Sequence, residues 1–473
     1  MRTSRSASPT SASSSGCRDG VEQPGPPRDD GTLNDALSIF AAAREAGGAV
    51  ALKIGADRLT FAQLADMAGE RLRTLDHDAR DGGPCPLVAT NTLETLVTLY
   101  ALLARGIPAL LLDPRLTAPE LQGLRDAASR AGRLPHADAA AILYTSGTTG
   151  TPRGAVLTGE GLVASAAASA ANLGWRDDDC WLLAMSIARV GGLSIVTRCL
   201  AARRALALAP AFDAAQFPGW IEAQRITLAS LVPTMLVRVL DAHAGWAPPA
   251  HLRAMLVGGA TASAALLQRA RERGLPIVIT YGLTETCSQV VATPYAARFA
   301  AAAHGAGMPL PGAELRVVDG RIEVRGPMLM AGYWGAPALP AHTWLDTGDL
   351  GEIDARGCLH VHARRVDLIV TGGENVYPAE VERVLEDFPG IRAAGVFGVP
   401  DETWGQTVAA ALVAQPAPAP ELLARYLSTR LAPHKRPREI CLVGQLPQTV
   451  AGKLDRHALP ALAPALQPLR LGE

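Results

Sequence analysis

The segment Tyr144-Thr-Ser-Gly-Thr-Thr-Gly-Thr-Pro-Arg-Gly154 concentrates much of the chemistry open to this chain. Its hydroxyls (Thr145, Ser146, Thr148, Thr149) and its glycines Gly147 and Gly150 offer many O–H and N–H donors with little bulk, which suits a polyphosphate. The apolar run Ala139–Leu143 directly before it reads as a buried strand, so the loop leaves the end of a sheet. A flexible Gly/Ser/Thr linker is the competing reading, but a linker rarely follows a core strand. Neither glycine is followed by Lys-Ser or Lys-Thr, so this is not a phosphate loop of that type. A second feature is a bias. Of 44 Lys and Arg residues only Lys53, Lys435 and Lys453 are lysine, so arginine is the default cation here and each lysine calls for its own explanation.

The elements that must hold this loop alternate along the chain. Strand-like runs at Pro108–Leu112, Ala140–Tyr144, Cys180–Met185, Ala205–Ala209, Thr227–Val232, Arg253–Val257 and Pro276–Thr280 are separated by alanine-rich helical stretches such as Glu160–Leu173 and Ser263–Arg273. That alternation predicts an α/β fold with mostly parallel sheets and flanking helices. Gly258-Gly259-Ala260 and Tyr281-Gly282 are expected just past strand ends, where such sheets bind ligands. Two hairpins come next, one closed by Asp319-Gly320 and one by Asp354-Ala-Arg-Gly357, forming a β-rich subdomain. Strands near Ala394–Val399 and Thr407–Ala414, with helices near Ala379–Asp387 and Pro418–Leu431, predict a small α+β C-terminal domain. The division expected is a disordered segment at 1–31, a large domain at 32–363 and a small domain at 364–473.

Composition narrows the function. Apolar residues at 48% and charged residues at 19% fit a globular protein, and a net charge of -1 argues against nucleic acid as partner. Seven scattered cysteines without a Cys-x-x-Cys fit a reducing cytoplasm and no structural zinc. No apolar run reaches the length of a membrane span; the run nearest to one, Trp181–Leu200, carries Arg189 and Arg198. Residues 1–16 have the Arg/Ser bias of a transit peptide without its amphipathic period, which favours a ragged terminus. A homo-oligomer is neither required nor excluded.

The loop, Tyr281-Gly-Leu-Thr-Glu285, Thr347-Gly-Asp349, Ala363-Arg-Arg running to Gly372-Gly373, and Gly452-Lys453 occur in the order used by adenylate-forming enzymes. The chain resembles that superfamily from about residue 35 to 458, and in particular its acyl-CoA synthetases. The resemblance implies activation of a carboxylic acid by ATP with Mg²⁺, then transfer of the acyl group to coenzyme A. It implies a β/γ-phosphate cradle in Thr145, Ser146, Gly147, Thr148, Thr149 and Gly150, with Arg153 where the family usually has lysine. Glu285 is similar to the family's Mg²⁺ ligand, with Thr284 beside it near the α-phosphate. Gly258, Gly259, Ala260, Tyr281 and Gly282 correspond to the adenine site, and Asp349 and Arg364 to the ribose contacts. Lys453 matches the catalytic lysine, delivered by a rotating C-terminal domain, and Gly372 and Gly373 the loop that lines the coenzyme A arm. Lys435 is read as a phosphate or coenzyme A contact, or as part of a solvated basic loop.

Within the superfamily, Val190-Gly-Gly-Leu-Ser-Ile195, Ser230-Leu-Val-Pro-Thr234 and Thr284-Glu-Thr-Cys-Ser-Gln289 resemble the o-succinylbenzoate–CoA ligases of menaquinone synthesis. Their substrate carries two carboxylates, so Arg198 is expected to hold the one that is not activated, with Ser288 and Gln289 as polar neighbours and Arg189 adding charge. A salt bridge inside the helix layer is the other reading of Arg198. The chain departs from the family at Ala188-Arg189, where an aromatic-His pair is usual, at Arg153, and at the hinge, where Val366 replaces Asp or Lys and Ala363 replaces Gly. Another aryl or aliphatic acid, a carrier-protein thiol as acceptor, and a nucleotide-binding protein without turnover are the competing readings. The joint presence of Glu285, Asp349 and Lys453 argues against the last.

Overall fold

In the computed structural model, which describes residues 33–75, 83–130, 134, 138–145, 153–300, 305–364, 367–371, 374–401, 404–449 and 452–469, four sheets carry the chain. The largest has nine strands in the order Met308–Pro309, Ser288–Ala292, Ile277–Leu283, Ala254–Val257, Leu228–Leu231, Cys180–Leu183, Ala205–Leu208, Val50–Ile54 and Asp57–Thr60. The six strands from Ile277–Leu283 to Val50–Ile54 pair in parallel, and the outer ones are antiparallel. A second sheet of five strands runs Gly332–Tyr333, Arg153–Thr158, Ala139–Thr145, Ala109–Leu112 and Cys85–Val88. Strands such as Ala109–Leu112, Cys180–Leu183 and Ala254–Val257 are buried at every residue. Helices on both faces cause this burial, which explains why these strands read as unbroken apolar runs instead of alternating ones.

Helices pack between the sheets for local reasons. Gly159–Leu173 starts where the Thr158 hydroxyl accepts from the Gly161 N–H at 2.9 Å, a side-chain cap for one orphan donor. Val190–Ala202 is buried continuously from Gly192 to Leu200, as a helix that is apolar all round must be. Gly192 is required there, because a Cβ would stand 2.2 Å from the Ser186 carbonyl oxygen. Leu96, Leu99 and Leu102 on Leu93–Ala104 are sealed in the same core, and burial of each such side chain contributes about 1.5–3 kcal/mol.

The hairpin expected at Asp319-Gly320 is present, with both turn residues at positive φ (50° and 75°), the geometry of a two-residue hairpin turn. It joins Leu345–Ile353 and Leu359–Arg364 in a four-stranded antiparallel sheet. From Ile369 onward a six-stranded sheet with helices Pro378–Glu386 and Pro420–Ser428 builds its own core, from Val381, Leu385, Val396, Leu412 and Leu427 among others. Ala139–Thr145 pairs antiparallel with Arg153–Thr158, a strand that the apolar-run reading does not contain. One local expectation is corrected. Tyr281 and Gly282 lie inside the strand Ile277–Leu283, not past its end, because the strand extends to pair with Ser288–Ala292.

Candidate active site

The C-terminal ends of the parallel strands in the large sheet gather the predicted groups. Gly258 and Gly259 follow the strand Ala254–Val257. A Cβ on Gly258 would stand 2.2 Å from Thr280 Oγ1, and Gly259 has φ of 79°, so close approach and backbone conformation both require glycine here. Tyr281 donates its phenol to Asp349 Oδ2 at 2.8 Å. This joins the residue expected at the base to the one expected at the ribose, across 68 residues of sequence. Asp349 is only 6% exposed, a buried carboxylate of the kind that accepts hydroxyls. Arg364 stands opposite Asp349 in the ladder of Leu345–Ile353 with Leu359–Arg364, while its side chain lies outside the described residues.

Glu285 sits in a one-turn 3-10 helix, Thr284–Thr286, between two strands. The Thr286 hydroxyl clamps this turn, donating to the Leu283 and Ser288 carbonyls at 3.1 and 2.7 Å and accepting from the Leu283 N–H at 2.9 Å. Thr284 accepts from the Cys287 N–H through its carbonyl. Glu285 Oε1 accepts a hydrogen bond from the Tyr333 hydroxyl at 2.8 Å. Burial, and secondarily the Glu285 carboxylate, push the Tyr333 phenol well above the usual tyrosine range, so it stays a donor. Over that ring lies Arg153, its Cζ 3.5 Å from the centroid. Thr145 ends its strand opposite Arg153, whereas Ser146, Gly147, Thr148, Thr149 and Gly150 lie outside the described residues, as do Gly372, Gly373 and Val366.

Lys453 follows a tight turn in which Gly452 has φ of 75° and the Thr449 N–H donates to the Lys453 carbonyl at 2.7 Å. The turn is pinned to the large sheet: Thr234 Oγ1 donates to the Gly452 carbonyl at 2.6 Å. The result is that a Cβ on Gly259 would lie 3.7 Å from Lys453 Nζ. The ammonium therefore stands over the glycine pair at the mouth of the Tyr281–Asp349 site. Arg456 anchors the same turn, pairing with Glu382 at 2.7 Å and with Asp367 at 3.4 Å. Lys435 has no need of a phosphate: it meets both oxygens of Glu380 at 2.8 Å, which favours a structural ion pair.

Arg198 lies on the inner face of Val190–Ala202, 3% exposed, with its Cζ 5.6 Å from the Trp181 ring centroid. Its Nε and Nη2 are buried and meet no acceptor among the described residues. Burial lowers the guanidinium to about 10, which still leaves it charged near neutral pH. The alternative, a structural salt bridge, is thus not formed among the described residues. Gln289, 4% exposed, likewise has a buried Nε2 without a partner among the described residues. Two orphaned donors of this kind fit an acceptor-rich ligand such as a carboxylate. Ser288 stands beside Gln289 with φ of 101°, an uncommon backbone conformation for serine. Arg189 behaves differently. Its Nη2 pairs with Asp113 Oδ2 at 3.0 Å and its Nη1 donates to the Tyr144 carbonyl at 3.4 Å. Burial pushes the Asp113 carboxyl up, but hydrogen bonds from Arg115 and the charges of Arg115 and Arg189 outweigh it and hold it at about 2.

Sequence reasoning missed Tyr333, Thr234 and Asp113. A usable signal existed for Asp113, an acid directly after a wholly apolar strand, and for Thr234, which closes Ser230-Leu-Val-Pro-Thr234. Tyr333 stands 48 residues from Glu285, and nothing local announces the contact.

The family model for AMP-binding enzymes matches residues 126–334, and that for the AMP-binding enzyme C-terminal domain matches residues 380–453. A 2-succinylbenzoate–CoA ligase of Bacillus cereus (strain ATCC 14579) is 34% identical over 459 residues, covering 87% of this chain and 95% of that protein. One of Geobacillus kaustophilus (strain HTA426) is 36% identical over 468 residues, covering 88% and 95%. The structure of o-succinylbenzoate CoA synthetase from Bacillus subtilis in complex with the acyl-adenylate intermediate OSB-AMP has a TM-score of 0.79 at 30% identity, covering 92% of this chain and 98% of that one. The same enzyme in complex with ATP and magnesium ion gives a TM-score of 0.78 at 30% identity, covering 89% and 98%.

Proposed function

This chain belongs to the AMP-binding family of adenylate-forming enzymes, and from that membership we propose an ATP-dependent acid–thiol ligase that converts 2-succinylbenzoate to its coenzyme A thioester. The observation that carries the substrate is Arg198. A buried, charged guanidinium without an acidic partner among the described residues costs several kcal/mol, and a ligand carboxylate in contact with it offsets that cost. Gln289 offers a second donor to the same ligand. An acid with two carboxylates then leaves one at Arg198 and the other free to attack the α-phosphate of ATP.

For that attack, Lys453 offers a compact charge over Gly259, where the attacking carboxylate and the α-phosphate must meet. Asp349, oriented by Tyr281, accepts ribose hydroxyls, and the Gly258-Gly259 pair lets the base lie against backbone. Glu285 supplies a carboxylate oxygen, a donor suited to Mg²⁺, which when bound neutralises charge on the phosphates. The second step is displacement of AMP by the coenzyme A thiol. It needs Lys453 withdrawn, and we place the moving part at residues 364–473, rotating against 32–363, with Gly372 and Gly373 lining the thiol's path.

The test is pyrophosphate release with ATP and 2-succinylbenzoate, followed by thioester formation. Arg198→Ala is expected to raise the KM for 2-succinylbenzoate about 10- to 100-fold, the range for a lost hydrogen bond to a charged group, with little change in the KM for ATP. An unchanged KM for the acid would remove Arg198 from the pocket. Turnover of monocarboxylic acids alone would point to a different substrate.

A further inference from the structure

We propose that Tyr333 is a positioning residue for the metal-binding carboxylate of Glu285, and that Arg153 supports it by packing over its ring. The inference rests on the reading of Glu285 as the Mg²⁺ ligand. Three backbone hydrogen bonds hold the segment around Tyr333 in place. The Met330 N–H donates to the Glu285 carbonyl at 2.8 Å, the Ala331 N–H to the Val156 carbonyl at 2.9 Å, and the Trp334 N–H to the Gly154 carbonyl at 2.7 Å. Gly332–Tyr333 thereby becomes the edge strand beside Arg153–Thr158, with Tyr333 opposite Ala155. The phenol reaches Glu285 Oε1 from a ring whose backbone is tied both to the strand Arg153–Thr158 and to the Glu285 turn itself.

The choice of donor matters. A carboxylate on a short turn rotates among rotamers, and a divalent cation selects one of them. Lysine or arginine at this place would fix the rotamer but cancel the charge that attracts the cation. A neutral phenol orients Oε1 and leaves the negative charge, together with the lone pairs of Oε2, for the metal.

Arg153 supplies the second half. Its Cζ lies 3.5 Å from the Tyr333 centroid, a close cation–π contact on the ring of the residue that donates to Glu285. A planar, weakly hydrated guanidinium suits such a contact better than a strongly hydrated ammonium. This gives the arginine at position 153 a physical role of its own.

The experiment is Tyr333→Phe in the full chain, which removes one hydroxyl and keeps the ring. Binding of Mn²⁺–ATP, followed by the electron paramagnetic resonance of the ion, is expected to weaken about tenfold. The Mg²⁺ concentration for half-maximal ATP–pyrophosphate exchange is expected to rise by a similar factor. Conversion of supplied acyl-adenylate to thioester should be affected at least several-fold less. Combining Tyr333→Phe with Glu285→Gln should add no further weakening, whereas Arg153→Lys alone should reproduce part of the Tyr333→Phe effect. Wild-type metal dependence in Tyr333→Phe, additive losses in the double variant, or equal damage to both half-reactions would overturn the proposal. Mn²⁺–ATP binding needs no acid. A wrong identity for the acid would silence exchange in the wild type and leave this binding comparison intact.

Discussion

Three lysines survive in an arginine-rich chain, and each has a distinct setting. Lys53 donates to the Gln224 carbonyl at 2.8 Å, Lys435 pairs with Glu380, and Lys453 stands over Gly259. The first two make structural contacts across 171 and 55 residues of sequence, and the third comes to Gly259 from the far end of the chain. In the proposed mechanism a lysine suits that place, because a flexible stem carries a compact charge that can both approach and leave. Lys453→Ala is expected to slow acyl-adenylate formation about 100-fold or more, the scale of a lost transition-state donor, while supplied acyl-adenylate still goes on to thioester. Separate assays of the two half-reactions decide this. Equal loss in both would contradict the role given to the ammonium.

At the scale of elements, the ends of strands Ala109–Leu112 and Ala139–Thr145 are tied together beside the pairing of Ala139–Thr145 with Arg153–Thr158. Asp113 comes directly after the first strand, 9% exposed, with Arg115 and Arg189 on its oxygens, and Arg189 reaches on to the Tyr144 carbonyl. Arg189 thus links the start of helix Val190–Ala202 to both strands, which explains how this chain tolerates arginine at that position. The carboxyl is held at about 2, below its ordinary 3.8. Its contribution to stability is therefore present above 3.8 and lost as pH falls through about 2. Asp113→Asn is expected to cost roughly 1 kcal/mol of stability at neutral pH, which in a chain of this size lowers the thermal midpoint by about one degree. The gap to wild type should close as the solution is acidified. A gap that persists undiminished in acid would show that the ion pair is not its source.

Over the whole molecule, contacts between the tail region from Ile369 onward and the large sheet region include, among the described residues, Thr234 with Gly452, Gly259 with Lys453, and Ser263 with Glu386. Glu386 is the titrating member. Burial pushes its carboxyl from 4.5 up to about 7, with Glu382 and Asp387 adding to the rise and the Ala394 N–H and the Ser263 hydroxyl opposing it. The seat favours the protonated acid. Stability is full below 4.5 and declines as pH rises toward about 7, where the buried group must ionise. Glu386→Gln should flatten the thermal midpoint across that window, and should favour the Lys453-in arrangement at higher pH. Thermal scans at several pH values test the first part; a variant whose pH profile overlays wild type would place the titration elsewhere.

Spacing and local pattern alone determined the order of the motifs, the α/β alternation, the Asp319-Gly320 hairpin and the lysine that stands out at 453. These are legible because turn chemistry, apolar runs and residue choice are written within a few residues of one another. Local pattern missed the strand Arg153–Thr158 and misread the strand through Tyr281, since strand pairing is decided by a neighbour that a local window does not contain. Only the tertiary structure paired Tyr333 with Glu285, Asp113 with Arg189, Tyr281 with Asp349 and Lys453 with Gly259. Each of these contacts joins segments far apart in the chain, and only the packing of sheets against helices chooses which distant side chains share a dielectric, a charge and a ligand.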